Sequence, residues 1–176
     1  VRIENITEIP VPKQNNTIAI ALLKNSTRLE WFLEKAAELG IRRIIPLLTS
    51  RTEKSHFRFE RMKSILVSAM LQSQQAWLTE LSEPILFENW LSNDGEASAD
   101  TCFIAHCEPG EKCSLVDKDI IGLEAKTVLI GPEGDFTSDE IQLAISKGYR
   151  PVTLGNTRLR TETAGIVAAT LMQQEG

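Results

Sequence analysis

Short apolar runs alternate with amphipathic stretches along most of the chain, and this alternation limits the possible folds more than any other feature. Five short apolar runs, several of them rich in β-branched residues, predict buried strands. They lie at 17–23, 41–48, 101–105, 127–130 and 152–154. Strands that alternate with helices in this way form a parallel sheet, because each crossover needs a helix. The sequence therefore predicts an α/β fold with helices on both faces of the sheet.

The stretches between these runs carry apolar residues at helical spacing. They predict helices over about 25–39, 137–147 and 161–174, and another that begins near 59 and ends between 72 and 77. The polar segments 93–100 and 106–118 are expected to be loops. Gly40 and Gly148 are expected to end the first and third helices. Thr137 and Glu140 have the spacing of a capping box, in which each side chain bonds the other residue's backbone N–H.

Composition and cysteine usage narrow the class of protein. A chain of 176 residues suits one domain with its own core. It contains no apolar run of about 20 residues and no signal peptide at its start, so we expect a cytoplasmic protein without a membrane span. Cys102, Cys107 and Cys113 are odd in number and lack the pairwise spacing of zinc ligands. We therefore expect neither a disulfide framework nor a metal site.

The distribution of charge is uneven. The net charge of −5 argues against a protein that binds nucleic acid over its whole surface. The segment 42–63 is nevertheless basic, with Arg42, Arg43, Arg51, Lys54, Arg58, Arg61 and Lys63 against Glu53 and Glu60. A second basic group comprises Arg150, Arg158 and Arg160. Both a solvated helix face and an RNA-facing patch are consistent with these charges.

Three loops follow the carboxyl ends of predicted strands, where parallel sheets bind their ligands. They are 105–107, 131–134 and 155–162. The two glycines of the second loop, GPEG, permit positive φ and close approach of a ligand, and its proline stiffens the turn. Such a loop either presents backbone groups to a ligand or is an ordinary tight turn. Dinucleotide-binding, P-loop and nucleophile-elbow motifs are absent, which disfavours kinase or hydrolase chemistry.

The third loop places cations at the start of the last predicted helix, which Thr161 or Thr163 is expected to cap. Arg158 and Arg160 precede that helix, where positive charge is unfavourable without an anionic partner. A bound phosphate or carboxylate would supply the partner, and so would an ion pair with Glu133 or Glu162.

Two of these loops carry sequences that, taken together, resemble a known family. IGPEGDF (130–136) and LGNTRLRTETA (154–164) are similar to motifs of the RsmE family, which methylates N3 of a uridine in bacterial 16S ribosomal RNA. EKAAELGIRRIIPLLTSRT (34–52) and AMLQSQQAW (69–77) resemble the family's earlier helix–strand segments. The four segments occur in the family's order, and the resemblance covers about residues 24–171.

The resemblance implies a fold, a cofactor and partners. The fold is a SPOUT-type parallel sheet flanked by helices, with a C-terminal trefoil knot. The expected cofactor is S-adenosyl-L-methionine, and the expected substrate is 16S ribosomal RNA in the small ribosomal subunit. The resemblance also implies a homodimer that needs no metal. Members of the family carry an N-terminal PUA-like RNA-binding domain. Residues 1–16 are therefore expected to be its remnant and linker, and 17–176 the methyltransferase domain.

The resemblance also implies which residues form the site. The expected cofactor-binding residues are Ala105, His106, Ile130, Gly131, Pro132, Glu133, Gly134, Leu154, Gly155, Leu159, Arg160, Thr161, Thr163 and Ala164. Arg158 or Arg160 is expected to stabilise charge on the uracil or to hold a flanking phosphate. Glu133 and Glu162 are expected to orient an arginine or accept a proton.

Three positions depart from the family's usual residues. Asp135 stands where a second glycine is usual, and we expect its β-carbon to narrow the loop or its side chain to turn to solvent. Gln75 replaces a common arginine, which weakens any contact of this helix end with RNA, and Thr79 replaces a proline.

Two other functions remain open: another SPOUT enzyme that acts on tRNA or a ribose hydroxyl, and a non-catalytic module that binds rRNA or a nucleotide.

Overall fold

The computed structural model describes residues 14–53, 56–93 and 101–174, together with Glu8 and Pro10. The strands are β1 (Thr17–Ala21), β2 (Arg43–Leu48), β3 (Glu80–Leu81), β4 (Ile85–Leu86), β5 (Cys102–Ala105), β6 (Cys113–Ser114), β7 (Thr127–Ile130) and β8 (Arg150–Thr153). The helices are α1 (Ser26–Glu38), α2 (Phe59–Gln72), α3 (Phe87–Asn93), α4 (Ser138–Ser146) and α5 (Thr161–Met172). Among the residues described, no helix has the length and apolar character needed to cross a membrane.

All the strands belong to one parallel sheet, as the sequence predicts. The order is β3-β2-β1-β7-β5-β8-β6, and β4 also pairs with β2. The late strand β7 lies between β1 and β5, where Leu129 is in register with Ala19 on one side and Ile104 on the other. Consequently, β7, β5 and β8 are neighbours, and the loops that follow them leave the sheet side by side.

The two faces of the sheet bury separate apolar clusters, because successive strand residues point to opposite faces. On one face, Ile18 and Val128 pack with α1, α2 and α5. On the other, Ala19 and Leu129 pack with α3, α4 and Phe136, which belongs to the loop after β7. Helices therefore cover both faces, as predicted, and the loop after β7 is anchored in the second cluster.

The predicted helix boundaries are confirmed where side chains or glycines cap the backbone. Asn25 accepts a hydrogen bond from the N–H of Thr27 (2.9 Å) at the start of α1. Thr137 and Glu140 form the complete capping box of α4. Gly40 and Gly148 follow α1 and α4 with φ of +79° and +90°, a conformation that glycine adopts without strain.

Several boundaries differ from the predictions. The prediction that Thr161 or Thr163 caps α5 is wrong: the extended residue before the helix is Arg160, whose side chain makes no capping bond. The last strand is β8, at 150–153 rather than 152–154. Strands β3 and β4 and helix α3 were not predicted, and β6 lies within a predicted loop. Most of the predicted segments 1–16 and 93–100 lies outside the described residues.

A buried lysine fixes the carboxyl end of α5. The side chain of Lys126 is fully buried, and its ammonium group donates to the carbonyls of Met172 (3.0 Å) and Ile121 (3.2 Å). Asn16 also donates to the Met172 carbonyl (3.1 Å). Burial lowers the pKa of Lys126. A cation at the carboxyl end of a helix is stabilised by the partial negative charge of the helix dipole there. These contacts fix the carboxyl end of α5, so that its first turn lies at the carboxyl ends of the strands.

Candidate functional site

A pocket of about 310 Å³ lies beyond the carboxyl ends of β5, β7 and β8. A volume of this size is at the lower end of the range for small-molecule sites. Its wall combines the loops that follow these three strands with the first turn of α5. Sheet topology thus brings together three segments that are separated by some 20 residues or more in the sequence.

The pocket contains most of the residues that the sequence analysis selects. Those that line it are Ala105, His106, Ile130, Gly131, Pro132, Glu133, Leu154, Gly155, Arg158, Leu159, Thr161 and Ala164. Four selected residues lie outside its lining: Gly134, Arg160, Glu162 and Thr163. The lining also includes residues that were not selected: Cys107, Lys112, Asp135, Val152, Thr153, Asn156 and Thr157. Most of these adjoin selected residues, whereas nothing in the sequence around Lys112 signals a site.

The loop after β7 requires a glycine at its first position. A β-carbon on Gly131 would lie 3.0 Å from both the backbone nitrogen and the ring of Phe136, closer than such contacts normally are. Because Phe136 is buried in the core, the loop cannot move aside easily. Gly131 therefore has a structural reason for its place in the pocket wall, apart from any ligand.

Gly134 lies on the outer side of the same loop, against Arg51. The Arg51 guanidinium donates to the carbonyls of Gly134 (2.5 Å) and Phe136 (3.3 Å). A β-carbon on Gly134 would approach Arg51 Cδ at 3.3 Å. This explains why Gly134 is absent from the pocket lining. The loop after β2 thus supports the loop after β7 from outside, and Glu140 adds a second link by accepting from the N–H of Ser50 (2.8 Å).

Asp135 joins two of the pocket loops, so the expectation that its side chain turns to solvent is wrong. Its Oδ2 accepts from the N–H of Cys107 (2.7 Å) and its Oδ1 from the N–H of Phe136 (2.8 Å). The backbone φ of +65° lies in the left-handed region, which a glycine adopts freely and aspartate adopts more readily than most residues. The carboxylate therefore forms part of the pocket wall.

His106 brings a polar ring without partners into the pocket. Both ring nitrogens are buried, and neither makes a hydrogen bond. Burial, and after it the Lys112 ammonium, lowers the pKa of His106 below its ordinary value, although Asp135 and Glu108 oppose the shift. At neutral pH the ring is therefore uncharged, with one donor and one acceptor nitrogen. Buried polar atoms without partners are rare, so these two nitrogens favour a polar ligand.

The charged residues near the last helix make contacts that differ from the expected ion pairs. Glu162 is buried, and its Oε1 lies 3.5 Å from Nε of Arg28, while its Oε2 makes no hydrogen bond. Glu133 is exposed and accepts from the N–H of Lys24 (3.4 Å). No ion pair joins Arg158 or Arg160 to either glutamate in the described part of the chain. Both arginines are exposed, so an external anion can reach them.

The two other departures from the resembled family serve the fold. Gln75 donates to the carbonyls of Ala37 (3.0 Å) and Glu38 (2.9 Å), which lie at the carboxyl end of α1. The hydroxyl of buried Thr79 donates to the carbonyl of Ile41 (2.8 Å). Both side chains therefore bond backbone carbonyls within the fold, and the Ala37 carbonyl also accepts from the N–H of Gly40 (2.9 Å). The Gln75 amide is thus committed to α1 rather than to the surface.

The described residues offer no metal centre: within them, no group of three or more His, Cys, Asp or Glu side chains could hold an ion. Cys102 is buried in β5, as predicted, and Cys107 is exposed in the pocket loop. Burial, and after it Asp135, raises the pKa of the Cys107 thiol. The chemistry of this pocket therefore depends on backbone groups, one neutral imidazole and a few charged side chains.

The fold and this pocket define an α/β domain of the class that binds a small ligand across the carboxyl edge of a parallel sheet. Comparison with known families identifies it further. The family described as the RNA methyltransferase domain matches residues 10–173, so the chain belongs to that family. The match covers all the strands and helices of the described residues, α5 included.

Individual relatives agree with this assignment. The chain is 37% identical over 166 residues to the ribosomal RNA small subunit methyltransferase E of Synechocystis sp., covering 92% of this chain and 52% of that protein. The Rickettsia conorii protein of the same name is 29% identical over 96% of this chain and 68% of its own length. The chain thus spans about half the length of its Synechocystis relative.

A solved structure supports the same fold. The ribosomal RNA small subunit methyltransferase E of Neisseria gonorrhoeae, bound to S-adenosyl methionine, matches with a TM-score of 0.80 and 31% identity. The match covers 91% of this chain and 65% of that one. The predicted SPOUT-type arrangement, a parallel sheet flanked by helices, is confirmed by this similarity.

Proposed function

We propose that this domain uses S-adenosyl-L-methionine to methylate N3 of a specific uridine in 16S ribosomal RNA of the small ribosomal subunit. The observation that carries the proposal is the single pocket formed by the loops after β5, β7 and β8. Two of these loops contain the GPEGD and LGNTRLRTETA segments, and relatives over most of the chain are named for methylation of small-subunit rRNA.

The pocket residues fit this cofactor. Gly131 and Pro132 line one wall of the pocket, where backbone groups of their loop can face an adenosine. His106 also lines the pocket, and its two buried ring nitrogens lack protein partners. S-adenosyl-L-methionine supplies a methyl group on a sulfonium centre. The chain's task is to align uracil N3 with that methyl group and to exclude water.

The reaction also requires removal of the N3 proton and stabilisation of charge on the uracil oxygens. Arg158 lines the pocket and is the candidate that stabilises this charge. Arg160 is exposed beside the pocket, where its guanidinium can hold an RNA phosphate. Glu133, at the pocket wall, is the candidate that accepts the proton. Glu162 is buried beside Arg28 and is assigned a positioning role at the start of α5.

RNA binding in this proposal depends on a limited set of cations. In the basic segment, Arg42 pairs with Glu80 and Arg61 with Glu30, while Arg51 contacts carbonyls. These contacts reduce the positive charge available to phosphates. The net charge of −5 points the same way, so we assign part of the RNA affinity to an upstream PUA-like domain joined through residues 1–16.

We further propose a homodimer in the cytoplasm and a C-terminal trefoil knot in the methyltransferase domain, residues 17–176. An exposed apolar residue on α1, Trp31 (45% exposed), and partly exposed Ile166 and Val167 on α5 support a subunit interface. These two helices pack against each other. Light scattering coupled to size exclusion tests the dimer: a monomer at all concentrations contradicts it.

A titration followed by a methylation assay tests the proposed activity. Isothermal titration should detect one S-adenosyl-L-methionine per chain, and absence of binding favours a non-catalytic RNA-binding module. Small subunits from a strain that lacks the modification are then incubated with enzyme and labelled cofactor. Mass spectrometry of the nucleosides should find the label in N3-methyluridine. Label in a ribose methyl group or in tRNA identifies a different SPOUT enzyme.

A further inference from the structure

Asp135 places a fixed negative charge in the pocket wall. Two backbone N–H groups, from Cys107 and Phe136, donate to its two oxygens, one to each, at 2.7 and 2.8 Å. These bonds, together with the left-handed backbone, hold the carboxylate in one orientation. A charge held in place costs little reorganisation when a ligand binds.

No cation of the described residues neutralises this carboxylate through an ion pair. The two cations of the pocket wall are Lys112 and Arg158. The Lys112 ammonium donates to the carbonyls of His106 (2.8 Å) and Glu108 (2.6 Å), and Arg158 is exposed. The other acid of the wall, Glu133, faces Lys24, whose ammonium pairs with Glu53. Of the two acids in the pocket wall, Asp135 is therefore the one whose carboxylate is held in one orientation and has no paired cation among the described residues.

We propose that Asp135 makes this pocket discriminate the cationic methyl donor from its uncharged thioether product. The inference rests on the proposed function, because it takes S-adenosyl-L-methionine as the cofactor. Donor and product, S-adenosyl-L-homocysteine, differ by one methyl group and one positive charge. A single methyl group gives limited discrimination by shape. A fixed charge distinguishes the two ligands by Coulomb energy.

The expected size of the effect follows from the scale of the pocket. Unit charges about 8 Å apart, with an effective dielectric constant between about 20 and 80, change a binding ratio by about two- to thirtyfold. During transfer the N3 proton passes to Glu133, the base of the proposed function. The N3 electron pair forms the N3–CH₃ bond, the S–CH₃ bond breaks with its electron pair remaining on sulfur, and the sulfur thereby loses its positive charge. The attraction to Asp135 is then lost, which favours exchange of product for fresh donor.

The test compares the affinities of both ligands by isothermal titration in four proteins: the wild type, Asp135→Asn, Asp135→Gly and Asp139→Asn. Asparagine keeps the shape and tolerates positive φ, and glycine is the residue usual in the resembled family. Asp139 is an exposed acid in the first turn of α4, outside the pocket lining, so its variant controls for net charge.

We expect both Asp135 variants to lower the preference for donor over product by about threefold or more, and Asp139→Asn to leave it unchanged. Loss of a purely structural link between the loops would weaken both ligands equally. An unchanged ratio in both Asp135 variants, with ligands still bound, overturns the inference. Failure of the wild type to bind either ligand overturns the proposed function instead. If Asp135→Asn does not fold, Asp135→Gly alone decides the result.

Discussion

Arg51 supports the pocket from outside, and replacing it tests whether that support matters for binding. Its guanidinium donates to the carbonyls of Gly134 and Phe136, while Arg51 itself lies outside the pocket lining. Arg51→Ala removes both bonds and leaves the loop after β7 free to sample other conformations. Arg51→Lys retains the charge but offers a single ammonium group in place of the planar fork.

The structure sets the magnitude of this effect. A hydrogen bond from a charged donor contributes about 1.5–3 kcal/mol in buried surroundings. Arg51 is exposed, so about 1 kcal/mol for the pair is the appropriate scale. If ligand binding must restore the loop, affinity for S-adenosyl-L-methionine falls about fivefold. Arg51→Lys should lie between the wild type and Arg51→Ala.

Isothermal titration measures this affinity, and urea unfolding checks that the variants remain folded. The matched control is Arg43→Ala, which removes the same charge from the first residue of β2, at the opposite edge of the sheet. The reasoning is refuted if Arg51→Ala binds the cofactor as the wild type does, or if Arg43→Ala weakens binding as much.

Three further predictions concern packing, pH and the RNA contact. Gly165→Ala should destabilise the protein by about 1–3 kcal/mol in urea unfolding, because the new β-carbon would lie 2.5 Å from the Phe32 ring. The double variant that also carries Phe32→Leu should recover part of the loss. The pKa of His106 is lowered in the folded protein, so below about pH 6.5 the unfolded chain binds more protons than the folded one. The free energy of unfolding that is present above that pH is therefore reduced on acidification. His106→Gln should lose less stability between about pH 7 and 5, and equal losses would contradict this. Arg160→Ala should abolish methylation of small subunits with cofactor affinity within about twofold of wild type, because Arg160 lies outside the pocket lining; near-normal turnover contradicts its assignment.

Periodicity and caps were enough to predict the central part of the fold. The apolar runs that became β1, β2, β5 and β7 are long enough to show burial directly in the sequence. The strands β3, β4 and β6 have two residues each, too few to show any periodicity. They exist because backbone groups find partners at the sheet edges, which depends on the tertiary structure. The start of α5 at Thr161 was predicted correctly, but its capping residue was not, because two threonines offered equally good local caps.

The sequence was enough to predict which loops form the candidate site, but not all the contacts that the side chains of these loops make. The rule that ligands bind at the carboxyl ends of parallel strands selected the three loops that meet. The orientation of each side chain within a loop depends on distant neighbours. Gly134 faces away from the pocket because Arg51, 83 positions earlier in the chain, lies against it. Asp135 turns inward because the N–H of Cys107 is within reach, and local sequence carries no sign of that partner.

Hydrogen–deuterium exchange with and without S-adenosyl-L-methionine tests the central claim most directly. The claim is that the loops after β5, β7 and β8 together form one cofactor pocket. Backbone amides in 105–107, 131–136 and 154–161 should gain protection together, at the same cofactor concentration, while β3 and β4 at the far side of the sheet remain unchanged. Protection confined to one loop, protection elsewhere, or none at saturating cofactor would contradict the account.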